Sequence, residues 1–130
     1  MIMKPVLFSL LLLSLLSCRK DKSCEDLDIL GEYVGETRYR YYPQSSIPSE
    51  DSTYSNTKMV SCSGHVISVD SYEFDLVELV NNEYFYSNSI DGNGGQSWSY
   101  RFVGDSLYSY YSDWWWGYDH VYSFAGKKLP

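Results

Sequence analysis

The chain has no apolar run long enough to cross a bilayer as a helix. Its one hydrophobic stretch, Val6 to Leu16, is about half the roughly 20 residues a spanning helix needs. Basic residues are scarce, 10 Lys and Arg against 17 Asp and Glu, for a net charge of −7. That balance, with no basic cluster, excludes a polyanion binder, whose affinity rests on neutralising phosphates. It also argues against adhesion of the protein surface to anionic headgroups.

Histidine is limited to His65 and His120, and there is no CxxC pair, so a zinc site has no framework. Serines are so numerous that some Ser must lie near each His by chance, and no Ser/His/Asp triad follows from that. Asp91-Gly-Asn93-Gly-Gly95 begins like a calcium loop, but its twelfth position is Phe102, where a bidentate Glu is required. Phosphate-loop motifs are absent. Glu73, Asp75 and Glu78 offer carboxylates, and Glu73 and Asp75 share a strand face, the arrangement of a solvated surface. These absences point away from an enzyme and away from any cofactor.

What is present starts with a short positive segment, Met1-Ile-Met-Lys4, followed by the apolar run and Leu15-Leu16-Ser17-Cys18. A charged start, a short apolar core and a small residue before the cut define a secretory signal peptide. The stretch resembles a bacterial lipobox, in which the first residue after cleavage is a lipid-modified cysteine. The resemblance implies that residues 1–17 are removed and that Cys18 carries the acyl chains, more than one of which is needed for stable anchoring. Leu16 is bulkier than the residue such sites prefer before the serine. Arg19 follows Cys18 where an Asp would signal inner-membrane retention in enteric bacteria. By that analogy the expected location is the outer membrane, facing either the periplasm or the outside. Residues 18–29 are read as lipidated terminus and tether, and residues 30–130 as one domain.

Removing residues 1–17 leaves 113 residues and takes away one positive charge, Lys4, so the net charge becomes −8. Cys24 and Cys62 remain, in an oxidising compartment. A bridge between them would close a 38-residue loop and contribute roughly 4 kcal/mol; the alternative is two buried thiols.

Beyond the tether the pattern is strand almost throughout. Gly31 to Tyr41 alternates, with Tyr33, Thr37, Tyr39 and Tyr41 on one face and Glu36, Arg38 and Arg40 on the other. Residues 43–57, rich in Ser and carrying two prolines, read as a long loop. Lys58 to Val69 reads as a strand with a bulge near Gly64, and Tyr72 to Val80 as another. Asn81-Asn82 marks a tight turn into Glu83 to Ser87. Ser97 to Val103 places Trp98, Tyr100 and Phe102 on one face; Gly104-Asp105 turns the chain into Leu107 to Tyr111, and His120 to Ala125 is the last strand. The expected fold is an all-β antiparallel meander of seven or eight strands, a barrel or strongly curved sheet that protects its edges.

Leu30-Gly31-Glu32-Tyr33-Val34-Gly35, Gly104-Asp105-Ser106-Leu107 and the ending Tyr122 to Lys128 resemble small lipocalin-like lipoproteins of Bacteroidota. That resemblance implies the fold and gives no activity.

One cluster stands out, Tyr110-Tyr111-Ser112-Asp113-Trp114-Trp115-Trp116-Gly117-Tyr118-Asp119-His120. Alternate side chains of a strand face opposite ways, so three consecutive tryptophans cannot all enter one core. Either one is at the surface or the run sits in a turn before Gly117. Exposed indoles beside Asp113 and Asp119 suit stacking on a sugar while the carboxylates accept hydroxyl hydrogen bonds. The competing use is a hydrophobic plug, since aromatics bury 150–250 Å² each. The expectation is a membrane-anchored binding or interaction module for carbohydrate, a small apolar ligand or an envelope protein. The alternative is a structural subunit of an envelope complex, and a hydrolase is the least favoured reading.

Overall fold

The computed structural model describes residues 23–44, 46–90 and 92–130; Cys18 and the signal segment lie outside them. Eight strands form one antiparallel sheet: β1 (Gly31–Pro43), β2 (Glu50–Ser63), β3 (Val66–Val69), β4 (Tyr72–Asp75), β5 (Glu83–Ile90), β6 (Gly94–Val103), β7 (Ser106–Trp115) and β8 (Tyr118–Lys128). Their order is β4-β3-β2-β1-β8-β7-β6-β5, so the first and last strands lie side by side in the middle of the sheet. The sheet curls into a half-barrel.

The two ends of the sheet, β4 and β5, meet through side chains at the floor of the half-barrel. Phe74 stacks on Tyr84 with ring centroids 4.2 Å apart, and the Tyr72 and Tyr84 hydroxyls share a hydrogen bond of 2.8 Å. Beside them Asn81 and Asn82, both at positive φ, make the expected tight turn, closed by a bridge between Val80 and Glu83. Further up, β2 from Glu50 to Lys58 pairs with β1 on one side only, because β3 begins pairing at Val60.

The core fills the floor. Tyr33, Val60, Ile67, Val69, Phe74, Tyr84, Phe102, Leu107 and Phe124 are buried there, each contributing about 1.5–3 kcal/mol. The buried Tyr33 hydroxyl donates to the Ile29 carbonyl at 2.8 Å. Cys24 and Cys62 form a disulfide with Cα atoms 5.9 Å apart, tying the 3-10 turn Cys24–Asp26 to β2. Gly35 and Gly126 face each other across β1 and β8. A Cβ on Gly126 would run into the Phe124 ring and one on Gly35 into the backbone of Ala125, so the floor closes only because both positions lack a side chain.

Three expectations need correction. Residues 43–57 are not one long loop: β1 runs through Pro43, and from Glu50 the chain pairs with β1 over eleven positions. This half of β2 is largely exposed and polar, so it carries no apolar alternation for a pattern to detect. Gly64 is a turn between two strands and not a bulge; its φ of 62° suits the left-handed conformation a tight turn demands. Finally, the strand from Tyr72 ends at Asp75. Asp75 and Glu78 then form a reciprocal capping box around the 3-10 turn Leu76–Glu78, so two of the three candidate acid–base carboxylates are helix caps.

Candidate binding face

Because side chains alternate, every second residue of each strand lines the concave wall. Strand register sorts these residues into layers above the core. The first layer is aromatic across five adjacent strands. Tyr86 pairs with Trp98, Trp98 with Tyr111, Tyr111 with Tyr122, and Tyr122 with Tyr39. Their ring centroids are 5.7, 5.1, 5.9 and 4.8 Å apart in that order. Tyr72 joins from β4, stacked on Trp98 at 5.2 Å. Such cross-strand pairs each contribute roughly 0.2–1 kcal/mol, so the ladder stiffens the wall it lines.

A pocket of about 380 Å³ opens beside this ladder. Trp98, Tyr72, Tyr111 and Tyr122 give its aromatic side; Thr37, Asn56, Lys58, Asp70 and Ser109 give its polar side. The polar groups are held in place. Asn56 donates to Thr37 Oγ1 at 2.9 Å, and Lys58 pairs with Asp70 at 3.2 Å while its ammonium sits 5.5 Å from the Phe124 ring centre. Burial pushes the phenols of Tyr84 and Tyr100 well above their ordinary value, and that of Tyr84 also rises through its bond to Tyr72. Tyr111 is raised by burial and by the nearby Asp113 carboxylate. Of these, Tyr100 and Tyr111 line the pocket.

The second layer is polar. Gln96, Asp113, His120 and Tyr41 follow one another across β6, β7, β8 and β1. Tyr39 and His120 Nδ1 share a hydrogen bond of 2.9 Å, and Tyr41 stacks on the imidazole at 4.6 Å. The third layer, at the mouth, brings Gly94, Trp115, Tyr118 and Pro43 into register.

The three tryptophans diverge. Trp115 lies on the concave wall, Trp114 on the convex face, and Trp116 in the turn to β8, 69% exposed. Trp116 and Gly117, at φ 49° and 86°, make a two-residue turn of the kind that favours Asn-Gly. The bulky residue is held there by Trp116 N donating to Asn93 O at 2.9 Å and by Gln44 N donating to Gly117 O at 3.0 Å. Asp113 therefore joins Trp115 on the concave side. Asp119 accompanies Trp114 on the other face, near Arg40. Burial raises the Asp119 carboxyl above the usual range, opposed by His120 and Arg40.

The sequence cluster thus does not form one site: Tyr110 and Tyr111 line the pocket, and the three tryptophans lie outside it. Tyr72, Trp98, Tyr111 and Tyr122 were missed as a group because their meeting depends on strand register. The alternation that put Trp98 and Tyr100 on one face was the available signal. Among the described residues, no group of three or more His, Cys, Asp and Glu side chains is arranged to hold a metal ion, and no helix is long and apolar enough to cross a membrane. No family model, curated protein or solved structure matches the chain.

Proposed function

We propose that the protein is an exported lipoprotein, anchored in the outer membrane through acyl chains on Cys18, whose β-domain binds carbohydrate in its concave pocket. The observation that supports this reading is the two-sided lining of the pocket. A sugar ring has an apolar C–H face and a rim of hydroxyls, and the pocket sets aromatic carbon opposite amide, hydroxyl, ammonium and carboxylate groups. At about 380 Å³ it falls at the lower end of ligand-pocket sizes, suited to one or two rings. The acidic surface keeps nucleic acid and anionic lipid away from the domain.

The test is tryptophan fluorescence titration of residues 19–130 with a panel of monosaccharides, alongside Trp98→Phe. Saturable quenching or enhancement that Trp98→Phe weakens supports pocket binding. No response across the panel rejects it. Anchoring is tested separately by palmitate labelling, which Cys18→Ser should abolish.

A second reading rests on the convex face, where Phe85 (72% exposed), Tyr108 and Tyr110 border a groove across β5, β6 and β7. An assembly subunit would cover these residues with a partner. In that case Phe85→Ser would disrupt a complex in envelope extracts while sugar titrations stay flat.

A further inference from the structure

The concave wall continues from the pocket to the mouth, and its upper part is built differently from the ladder below. In the ladder the rings meet their neighbours at a tilt, with interplanar angles of 43°, 42°, 38° and 36°. Trp115 instead lies on backbone: a Cβ at Gly94 would sit 2.5 Å from its Cε3 and 2.6 Å from its Cδ2. Only glycine can bed the indole there. One ring face is used against the sheet, and 42% of the residue remains exposed. Gly95 does the same for Trp114 on the convex face, where a Cβ would lie 2.5 Å from Cζ2. The Gly94-Gly95 and Trp114-Trp115 pairs face each other in register, one bed per face.

One step below Trp115 on the same strand face is Asp113, and its Oδ1 is buried without a hydrogen-bond partner. Among the described residues the other buried, unpartnered side-chain atoms are Arg40 Nε and Asp119 Oδ1, both on the convex side of the same corner. A buried acceptor with no donor is unfavourable, and a ligand hydroxyl reaching it would supply the missing bond. Beside Asp113 stand Gln96 and His120, both partly exposed.

We infer that Trp115 and Asp113 form a second sugar subsite, so that the ligand is an oligosaccharide and not a lone sugar. This rests on the reading of the pocket as a carbohydrate site. One ring sits in the pocket against Trp98. The chain then climbs the wall past Tyr111 and Asp113 and stacks its next rings on Trp115, a rise of about 14 Å over four residues of β7.

The experiment uses calorimetry on residues 19–130 with two series of soluble glucose oligomers, β-1,4 and α-1,4 linked, each from one to six residues. The wild type should bind one series with affinity rising with chain length. Trp115→Ala should remove about tenfold from the longer oligomers and leave the monosaccharide unchanged. Trp115→Tyr should restore most of the loss, and Asp113→Asn should weaken the longer chains alone. Matching thermal melts exclude a folding defect.

If wild type binds monosaccharide with no gain from length, or Trp115→Ala leaves long chains unaffected, the second subsite is wrong while the pocket stands. If no oligomer of any length binds, the pocket reading falls and the subsite with it.

Discussion

Breaking the Cys24–Cys62 bridge should cost this domain a large share of its stability. The bond closes a 38-residue loop, and the chain-entropy relation gives about 4 kcal/mol for a loop of that length. A domain of this size is stable by roughly 5–15 kcal/mol in total. A loss of 4 therefore moves a moderately stable protein close to unfolding and lowers Tm by roughly 15–30 °C. Packing adds little to the figure, because a reduced cysteine in the fully buried Cys24 site still behaves as a small apolar side chain. The segment would keep Cys24 N donating to Gly64 O at 3.1 Å and the burial of Ile29.

The assay is urea denaturation of the oxidised protein, the same protein in a phosphine reductant, and Cys24→Ala/Cys62→Ala. The oxidised protein should show the smaller slope, because its cross-linked unfolded chain exposes less surface, and its unfolding free energy should exceed that of the other two by about 4 kcal/mol. Hydrogen exchange adds a local readout, since amides 24–30 should exchange faster once the bond is gone. A free-energy difference under about 1 kcal/mol would refute the reasoning, showing that the open chain already holds residues 24–62 together.

Other perturbations test the seam and the ionisable groups. Tyr84→Phe removes only the hydroxyl pair with Tyr72 and should cost about 0.5–1.5 kcal/mol, whereas Phe74→Ala empties the aromatic contact and should cost about 3–5 kcal/mol; urea midpoints separate them. The raised phenols of Tyr84 and Tyr100 mean the folded state keeps protons that the unfolded state releases near pH 10. Stability should therefore fall as pH climbs past 10, and absorbance at 295 nm should rise in two phases, the later one coinciding with unfolding. The Asp119 carboxyl is raised in the fold, so its ionisation opposes folding above its folded-state value. Asp119→Asn should raise the urea midpoint at pH 7 and leave it unchanged near pH 3. Asp51 has the opposite sign: its hydrogen bonds to Arg38 at 2.5 and 2.8 Å hold its carboxyl low. That contribution is present at neutral pH and lost as pH falls through the folded value, so Asp51→Asn should flatten the acid limb of the stability curve.

Strands such as β1 and β6 were legible because a half-buried strand writes its burial into alternate residues, and Tyr33, Thr37, Trp98 and Tyr100 are spaced that way. The upper half of β2 was not, since Ser52, Thr53, Ser55 and Asn56 lie on an edge with solvent on one side. Gly64 was ambiguous because a bulge and a turn both ask for positive φ. The disulfide could be paired by counting cysteines, but its closure of the floor needed the curl of the sheet. The tryptophan run could be split by alternation, which forbids three neighbours on one face, yet not assigned to faces. That assignment required the register that sets Gly94 against Trp115 and Gly95 against Trp114.

The two ends of the half-barrel are built for different tasks, and their placement bears on how the proposed anchor would present the site. The floor gathers the 3-10 turn at Cys24, the turn at Gly64 and the turn at Gly104-Asp105, where Lys127 pairs with Asp105. The mouth gathers Gln44, Asn93 and the Trp116-Gly117 turn, joined by backbone hydrogen bonds. Between them a strand of ten residues spans about 33 Å. Cys18 is six residues from Cys24, so its reach is at most about 20 Å, and the disulfide fixes where that reach starts. A lipid on Cys18 would hold the floor near the bilayer and turn the mouth away from it. In that arrangement the packed, bridged end would carry the load of anchoring, while the exposed Trp115 face, with Asp113 one step below it, would sit at the end facing away from the bilayer. Stability and recognition need not compete for the same residues in such a layout, because the aromatic ladder separates the close-packed floor from the open wall.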